Sequence, residues 1–289
     1  PYSLSSPPNH RGYYDITVRN VENGFVAPHL LNRIKLDDTI ETSAPSGSFC
    51  FNPLIHDRTS VFIAGGSGIT PFMSMIREVV ECGLDRTIYL FYGNRSDADI
   101  IFHEELLRIS RRFRRVTYVP VIESPSPRYD GARGFITGVL MKEVMGETGS
   151  RTYYLCGPPA MYDFCLAELD GLGIPRHKIR REMFGPAPDI TQSPGWPPHV
   201  GRDTAFTVRI QGGGEIHARA GEPLLNSLER NGTILQSLCR SGECSLCRTK
   251  LVSGRVFQPA GVLLRKSDRQ FGYVHSCAAY PLEDLEILL

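Results

Sequence analysis

The stretch Cys239-Arg-Ser-Gly-Glu-Cys244-Ser-Leu-Cys247, with Cys277 a further 29 intervening residues along the chain, decides the fold of the C-terminal third of this protein. A C-x4-C-x2-C run with a distant fourth cysteine is a thiolate ligand set for a [2Fe–2S] cluster. The small residues Ser241, Gly242 and Ser245 let backbone N–H groups approach the sulfur atoms. Structural zinc, the alternative, usually takes two C-x2-C pairs, and the second pair is absent here. The spacing therefore predicts an iron–sulfur domain.

The rest of the composition narrows the class of protein. The chain has 289 residues, enough for about two or more domains, and a net charge of +1, which favours neither nucleic acid nor a membrane surface as a partner. No stretch reaches the ~18 apolar residues of a membrane span, so no membrane insertion is predicted. The other four cysteines, Cys50, Cys82, Cys156 and Cys165, are scattered. They indicate reduced thiols and a cytoplasmic location rather than a disulfide framework.

A second motif, Val61-Phe-Ile-Ala-Gly65-Gly66-Ser-Gly68-Ile-Thr70-Pro71, lies upstream. An apolar strand runs into glycines, and a helix follows at once. Such a turn lets a pyrophosphate approach the backbone and meet the helix N-terminus. Two further segments, at 92–95 and 156–159, each end a predicted strand. Because ligands of open α/β sheets bind at the carboxyl ends of the strands, the three segments predict one dinucleotide site.

Four regions follow from these patterns. The pattern of residues 1–56 predicts short antiparallel strands. Residues 57–184 alternate apolar strands with helices, which predicts a parallel α/β domain. The strands are expected at 60–64, 87–92, 115–122 and 152–156, and the helices at 71–81, 102–111, 139–145 and 160–172. Residues 185–203 form a proline-rich linker that Trp196 pins to a neighbouring domain. Residues 204–289 open with a hairpin and hold the cluster.

The cysteine-bearing region, 204–289, resembles plant-type ferredoxins, whose fold is β-grasp-like. The three nucleotide segments together resemble the NAD(P)-binding domain of the ferredoxin–NADP reductase superfamily. The domain order is similar to that of phthalate dioxygenase reductase and related single-chain reductases. These resemblances imply a multidomain α/β and α+β protein with a partial antiparallel flavin-binding barrel.

The resemblance also implies roles for the nucleotide-binding residues. One set lines the pyrophosphate and the approach to the nicotinamide: Gly66, Ser67, Gly68, Ile69 and Thr70. A second set, Gly93, Asn94 and Arg95, lies near adenosine, and a third, Cys156, Gly157 and Pro158, near nicotinamide. Cys156 has a plain alternative as a packed strand-end thiol. Because Asp97 and Asp99 would accept a hydrogen bond from a free 2′-hydroxyl, NADH is expected, with NADPH as the alternative.

Flavin-binding residues are implied at three places. Tyr2 and Ser3 resemble the end of an Arg-x-Tyr-Ser motif, in which Tyr packs on the flavin and Ser bonds near its N5. Gly24, Phe25, Val26 and Ala27 resemble the motif that holds the flavin phosphate, although Ala27 replaces a hydroxyl or thiol residue and leaves FAD or FMN open. Phe184 matches an aromatic residue near the flavin. The motif's Arg would precede Pro1, so the chain is expected to be truncated.

The expected function is that of an NAD(P)H-dependent reductase. Electrons would pass from nicotinamide through FAD to the cluster, then to a separate protein acceptor such as an oxygenase or demethylase. Tyr2, Ser3, Thr70 and Cys156 are the candidate catalytic residues. The alternative function is a non-catalytic electron-transfer or redox-sensing subunit that lacks its own flavin.

Overall fold

The structure is a computed structural model that describes residues 1–20, 26–146, 150–183, 185 and 189–289. Its helices are α1 (Val26–Asn32), α2 (Thr70–Glu81), α3 (His103–Arg112), α4 (Gly138–Met145), α5 (Pro159–Gly171), α6 (Leu224–Arg230) and α7 (Lys266–Gln270). Its strands are β1 (Thr59–Gly65), β2 (Thr87–Asn94), β3 (Val116–Ile122), β4 (Ala132–Arg133), β5 (Arg151–Cys156), β6 (Ile179–Glu182), β7 (Ala205–Ile210), β8 (Glu215–Arg219), β9 (Arg248–Ser253), β10 (Val256–Phe257), β11 (Tyr273–His275), β12 (Tyr280–Pro281) and β13 (Leu285–Leu288). The chain forms two compact units, Tyr2–Glu182 and Met183–Leu289.

The first unit is built on a six-stranded parallel sheet in the order β4-β3-β2-β1-β5-β6. Its central strands are apolar along most of their length because helices cover the sheet. Phe62, Phe72 and Tyr154 are fully buried, and the rings of Phe62 and Phe72 stack at 4.6 Å between centroids. The four strands and four helices predicted from the alternating pattern are confirmed, with ends shifted by one or two residues.

The N-terminal segment of this unit shows less regular pairing than its alternating pattern suggested. Leu4 and Ile16 form an isolated antiparallel bridge, and the Ser5 N–H donates to the Asp15 carbonyl at 2.8 Å. Pro7 and Pro8 lie two and three residues beyond Ser5 and have no N–H to offer, so the ladder stops after one bridge. Among the described residues before β1, the regular element is α1.

The second unit contains a five-stranded mixed sheet in the order β11-β9-β13-β7-β8. The predicted hairpin is confirmed as the antiparallel pair β7 and β8, and α6 packs over the sheet through Leu224 and Leu228. Trp196 is 9% exposed, its ring lies 5.2 Å from that of Phe257, and its indole N–H donates to the Val200 carbonyl at 2.9 Å. The expectation that Trp196 anchors the linker is confirmed.

In the part of the chain that the structure describes, we find no helix with the length and apolar character needed to cross a membrane.

Candidate functional site

The cluster loop is shaped by backbone that points its N–H groups inward. The N–H groups of Ser241, Glu243 and Cys244 each donate to the sulfur of Cys239 at 3.4 Å. Arg240 and Ser245 have positive φ angles of 53° and 62°, which wind the loop tightly. Donors aimed at a sulfur stabilise its thiolate, the form that binds iron.

Both the backbone conformation and the surrounding atoms require a glycine at position 242. Its φ angle is 81°, and a Cβ there would stand 3.0 Å from the Ala278 Cβ and 3.1 Å from Val262. The buried His275 imidazole also holds this residue, because its Nδ1–H donates to the Gly242 carbonyl at 2.8 Å. His275 therefore supports the shape of the cluster loop.

The cysteines converge from separate elements. A hydrogen bond from Cys277 lowers the pKa of Cys239 to about 3 and that of Cys247 to about 7, whereas donating these bonds raises the pKa of Cys277. Cys247 and Cys277 also pack together at the base of the loop. Cys277 is therefore within hydrogen-bonding reach of both Cys239 and Cys247, and these two favour the thiolate form.

No set of three or more His, Cys, Asp or Glu side chains within the described ranges surrounds one point as a mononuclear metal site would. A two-iron cluster needs no such set, because its four thiolates are shared between two irons. The gathered thiols and inward N–H groups fit a [2Fe–2S] cluster.

The glycine turn after β1 packs directly against the end of β5. A Cβ on Gly68 would lie 2.1 Å from the Cys156 carbonyl oxygen and 2.7 Å from the Gly157 nitrogen. The Thr70 hydroxyl donates to the Ser67 carbonyl at 2.8 Å, which closes the turn onto α2. The two sequence motifs thus form one surface at the carboxyl edge of the sheet. Gly68 has no space for a side chain, and this close approach fits a dinucleotide backbone site.

Tyr92, which the sequence reasoning left without a role, fixes the glycine turn from the neighbouring strand. Its buried hydroxyl donates to the Gly66 carbonyl at 2.8 Å. Gly93 lies beside Gly65 in the parallel register, Asn94 is buried and Arg95 is exposed. The second predicted nucleotide segment therefore lies on the same edge as the first.

Glu182 joins the predicted flavin residues to the predicted nicotinamide residues. It is the last residue of β6 and the register partner of Cys156. Its Oε2 accepts a hydrogen bond from the Ser3 hydroxyl at 3.0 Å. Burial, and then the charge of Glu182, raises the pKa of the Cys156 thiol well above its usual range. Cys156 is 1% exposed and stays a neutral thiol.

Glu182 was missed because Arg180-Arg-Glu-Met has no recognisable motif and β6 was not predicted. Recognising 179–182 as a strand that pairs with β5 would have identified Glu182, because this pairing places it beside Cys156.

The segment that carries Tyr2 and Ser3 is tied down by α2. The Arg77 guanidinium donates to the Ser5 carbonyl at 2.8 Å and to both carboxylate oxygens of Glu105, at 2.8 and 2.7 Å. The Ser74 hydroxyl donates to the Ser6 carbonyl at 2.7 Å.

Of the other predicted flavin residues, Val26 and Ala27 open α1. Gly24, Phe25 and Phe184 lie outside the described residues.

Comparison with known proteins agrees with this arrangement. Three family models match the chain: an oxidoreductase FAD-binding domain at residues 1–51, an oxidoreductase NAD-binding domain at 62–166 and a 2Fe-2S iron-sulfur cluster binding domain at 208–282. The chain is therefore an oxidoreductase with FAD-, NAD- and [2Fe–2S]-binding domains. With these domains the chain resembles reductases of the phthalate dioxygenase reductase type, with the ferredoxin domain at the C-terminus.

Individual relatives also match along nearly the whole chain. NADH oxidoreductase HCR of Escherichia coli (strain K12) is 29% identical over 98% of this chain and 82% of its own length. The ferredoxin reductase component of 3-ketosteroid-9-alpha-monooxygenase from Rhodococcus rhodochrous is 27% identical over 98% of this chain and 80% of its own length. The solved structure of phthalate dioxygenase reductase matches with a TM-score of 0.65 at 26% identity, covering all of this chain and 82% of that one. The predicted resemblance to phthalate dioxygenase reductase, the fold class and the set of cofactors are confirmed.

Proposed function

We propose that this protein takes electrons from NADH and delivers them singly to a separate oxygenase component or a similar redox enzyme. When bound, the nicotinamide supplies a hydride, the flavin splits the electron pair and the cluster carries single electrons. The proposal rests above all on one chain of contacts: Gly68 packs on Cys156, Cys156 pairs with Glu182, and Glu182 accepts a hydrogen bond from Ser3. These contacts connect the residues expected at the nicotinamide to those expected at the flavin. The relatives named as oxygenase reductase components support it.

The chain's own residues have distinct roles in this proposal. Gly66 to Thr70 hold the dinucleotide with backbone N–H groups, and Gly93, Asn94 and Arg95 face its adenosine half. Cys156, Gly157 and Pro158 form the floor against which the nicotinamide lies. Tyr2 and Ser3 contact the flavin, with Glu182 orienting the Ser3 hydroxyl. Cys239, Cys244, Cys247 and Cys277 ligate the cluster.

We assign these roles to domains at 1–56, 57–184 and 204–289, joined by 185–203. The alternative of a subunit without flavin has less support, since the FAD-binding family model matches residues 1–51.

The test is anaerobic reduction of the purified holoprotein by NADH, followed by absorbance, together with NADH-driven reduction of cytochrome c. The wild type should bleach both flavin and cluster. Cys244→Ser should still bleach its flavin but lose most cytochrome c reduction, and Cys82→Ser, an exposed thiol outside the cluster, is the matched control. Undiminished cytochrome c reduction by Cys244→Ser would contradict the route through the cluster.

NADH is the proposed coenzyme. Asp97 accepts from the Ser126 N–H and hydroxyl, both at 2.7 Å, and Asp99 pairs with Arg19, so both carboxylates are fixed close to Arg95 in the chain. A carboxylate keeps further lone pairs for a ribose hydroxyl and repels a 2′-phosphate. The ratio of kcat/KM for NADH to that for NADPH tests this proposal, and a ratio below one would contradict it.

A further inference from the structure

The residues that surround the cluster loop differ in charge from the rest of the chain. From Cys239 to His275 there are seven Lys or Arg residues and two Asp or Glu residues, a net charge of +5, whereas the whole chain carries +1. Glu229 and Glu283, outside this stretch, pair with Arg240 and Arg255, which leaves an excess of +3. A local excess of this size creates a field that selects and steers the partner of a binding surface.

Part of this charge is anchored beside the cluster ligands. Arg248, directly after Cys247, donates to the buried Asp268 of α7 at 2.9 Å and so fixes that helix to the cluster loop. The Leu263 N–H donates to the Gly242 carbonyl at 3.0 Å. The segment from Leu263 through α7 therefore lies against the cluster loop.

Three cations on this segment, Arg265, Lys266 and Arg269, point to solvent. Over the residues described, none of the three forms an ion pair, whereas Arg240 pairs with Glu229, and Arg248 with Asp268. Two apolar side chains of the cluster loop and of the segment that contacts it, Leu246 and Leu263, are 47% and 53% exposed. Leu246 lies between the ligands Cys244 and Cys247, so apolar surface borders the cluster loop and cations rim it. An apolar centre with an Arg-containing polar rim is the usual make-up of a protein interface.

We propose that these five residues, Leu246, Leu263, Arg265, Lys266 and Arg269, form the surface on which the electron acceptor docks, which we call the exit face. The acceptor is a protein with an acidic rim around its own redox centre. Three unpaired cations attract such a rim at long range, and the two leucines exclude water once it has docked. This inference rests on the proposed function, since it assumes that electrons leave through the cluster.

The test compares two triple variants of the holoprotein with the same change in charge. One replaces Arg265, Lys266 and Arg269 by Gln. The other replaces Arg108, Arg111 and Arg114 by Gln, which are exposed arginines of the first unit without an ion pair in its described part. The probe is cytochrome b5, an acidic one-electron acceptor, with the basic cytochrome c for comparison. Each NADH supplies two electrons and reduces two ferric haems.

The exit-face triple should lower kcat/KM for cytochrome b5 about ten-fold at low ionic strength, mainly through KM, and flatten its dependence on salt. It should leave cytochrome c reduction unchanged or faster. The Arg108 triple should change kcat/KM less than about two-fold, and Arg265→Lys with Arg269→Lys should keep wild-type rates, because steering follows charge. Equal effects of the two triples, or no effect of either, would overturn the proposal.

Two further measurements separate this proposal from the proposed function. Bleaching of the cluster by NADH without any acceptor should be the same in all variants, and its absence in the wild type would contradict the proposed function alone. The exit face is then tested by photoreducing the cluster stoichiometrically and mixing it with cytochrome b5. Equal transfer rates from the wild type and the exit-face triple would overturn the docking proposal alone.

Discussion

At the scale of single residues, Glu182 and His56 show how burial and one neighbour decide the chemistry of a side chain. Glu182 is placed by β6 beside the neutral Cys156 thiol and accepts a hydrogen bond from Ser3. His56 is 8% exposed and lies between the Tyr154 hydroxyl and the Arg180 guanidinium. One carboxylate thus orients a hydroxyl, whereas one imidazole is held neutral for structure.

Replacing Glu182 by Gln should slow the reduction of the flavin by NADH. The amide keeps the shape and still accepts from Ser3, but a hydrogen bond to a charged acceptor is worth about 1 kcal/mol more than one to a neutral acceptor, or about five-fold in rate. Stopped-flow absorbance measures the rate. The exposed Glu143→Gln is the matched control, and equal rates for the two variants would contradict a role for Glu182.

His56 should make the protein less stable at acid pH. Burial, then the charges of Arg180 and Arg86, lowers the His56 pKa below its ordinary 6.5. The Asn52 N–H donates to Nδ1 at 3.0 Å, and the Arg180 guanidinium lies 3.0 Å from Nε2, so a protonated ring would face a neighbouring positive charge.

Because the unfolded chain binds this proton more readily, stability is full above pH 6.5 and falls as pH decreases through 6.5 toward the folded pKa. Melting temperatures at pH 7.5 and 5.5 should differ more for the wild type than for His56→Gln. An equal difference would contradict the prediction.

At the scale of elements, α2 connects the two kinds of predicted binding residue. Its first turn follows the glycine segment, and its third turn carries Arg77, which holds the Tyr2–Ser3 segment through the Ser5 carbonyl. The helix therefore sets the position of both.

Gly68→Ala should disrupt the contact between the β1 turn and the end of β5. The new Cβ would meet backbone atoms of Cys156 and Gly157, which cannot move aside as a flexible side chain would. We expect a loss of about 2–3 kcal/mol in the free energy of unfolding and a raised KM for NADH. Gly171→Ala, with open space around it in α5, should leave both unchanged or stabilise slightly. Similar results for the two variants would count against this contact.

Arg77→Met should loosen the N-terminal segment. The variant loses the bonds to Ser5 and to Glu105, and leaves a partly buried carboxylate unpaired, a cost of about 2 kcal/mol. The ratio of flavin to iron after gel filtration should fall, whereas the exposed Arg108→Met should keep the wild-type ratio. An unchanged ratio in Arg77→Met would show that the segment is held without α2.

At the scale of the whole molecule, the two units have separate cores, so they should respond separately to loss of the cluster. Trp196, the only tryptophan, is buried in the second unit, and its fluorescence reports on that unit alone.

Removal of iron by a chelator should lower the melting temperature of the second unit, since metal binding contributes to folding. We expect the midpoint temperature of the Trp196 fluorescence transition to fall by more than about 10 °C. This corresponds to a loss of about 2 kcal/mol in the free energy of unfolding for a unit of this size. The circular dichroism transition of the first unit should stay in place. A fluorescence transition that does not move would contradict a stabilising cluster.

The sequence by itself determined the order of the domains, the cysteine spacing and the glycine turn, because each depends on residues close together in the chain. A thiolate set and a strand–turn–helix need a fixed local spacing, and four strands and four helices follow from local periodicity. Where proline interrupts pairing, at Pro7 and Pro8, the alternating pattern overstated the strand.

Only the tertiary structure decided which distant groups meet. Glu182 lies beside Cys156 because β6 pairs with β5, Tyr92 fixes the Gly66 turn because β2 pairs with β1, and Asp268 brings α7 against Arg248. These contacts come from strand register and side-chain packing between segments far apart in sequence, and no local spacing encodes them. The spacing of the cysteines predicts a cluster, but the fold determines which charges surround it.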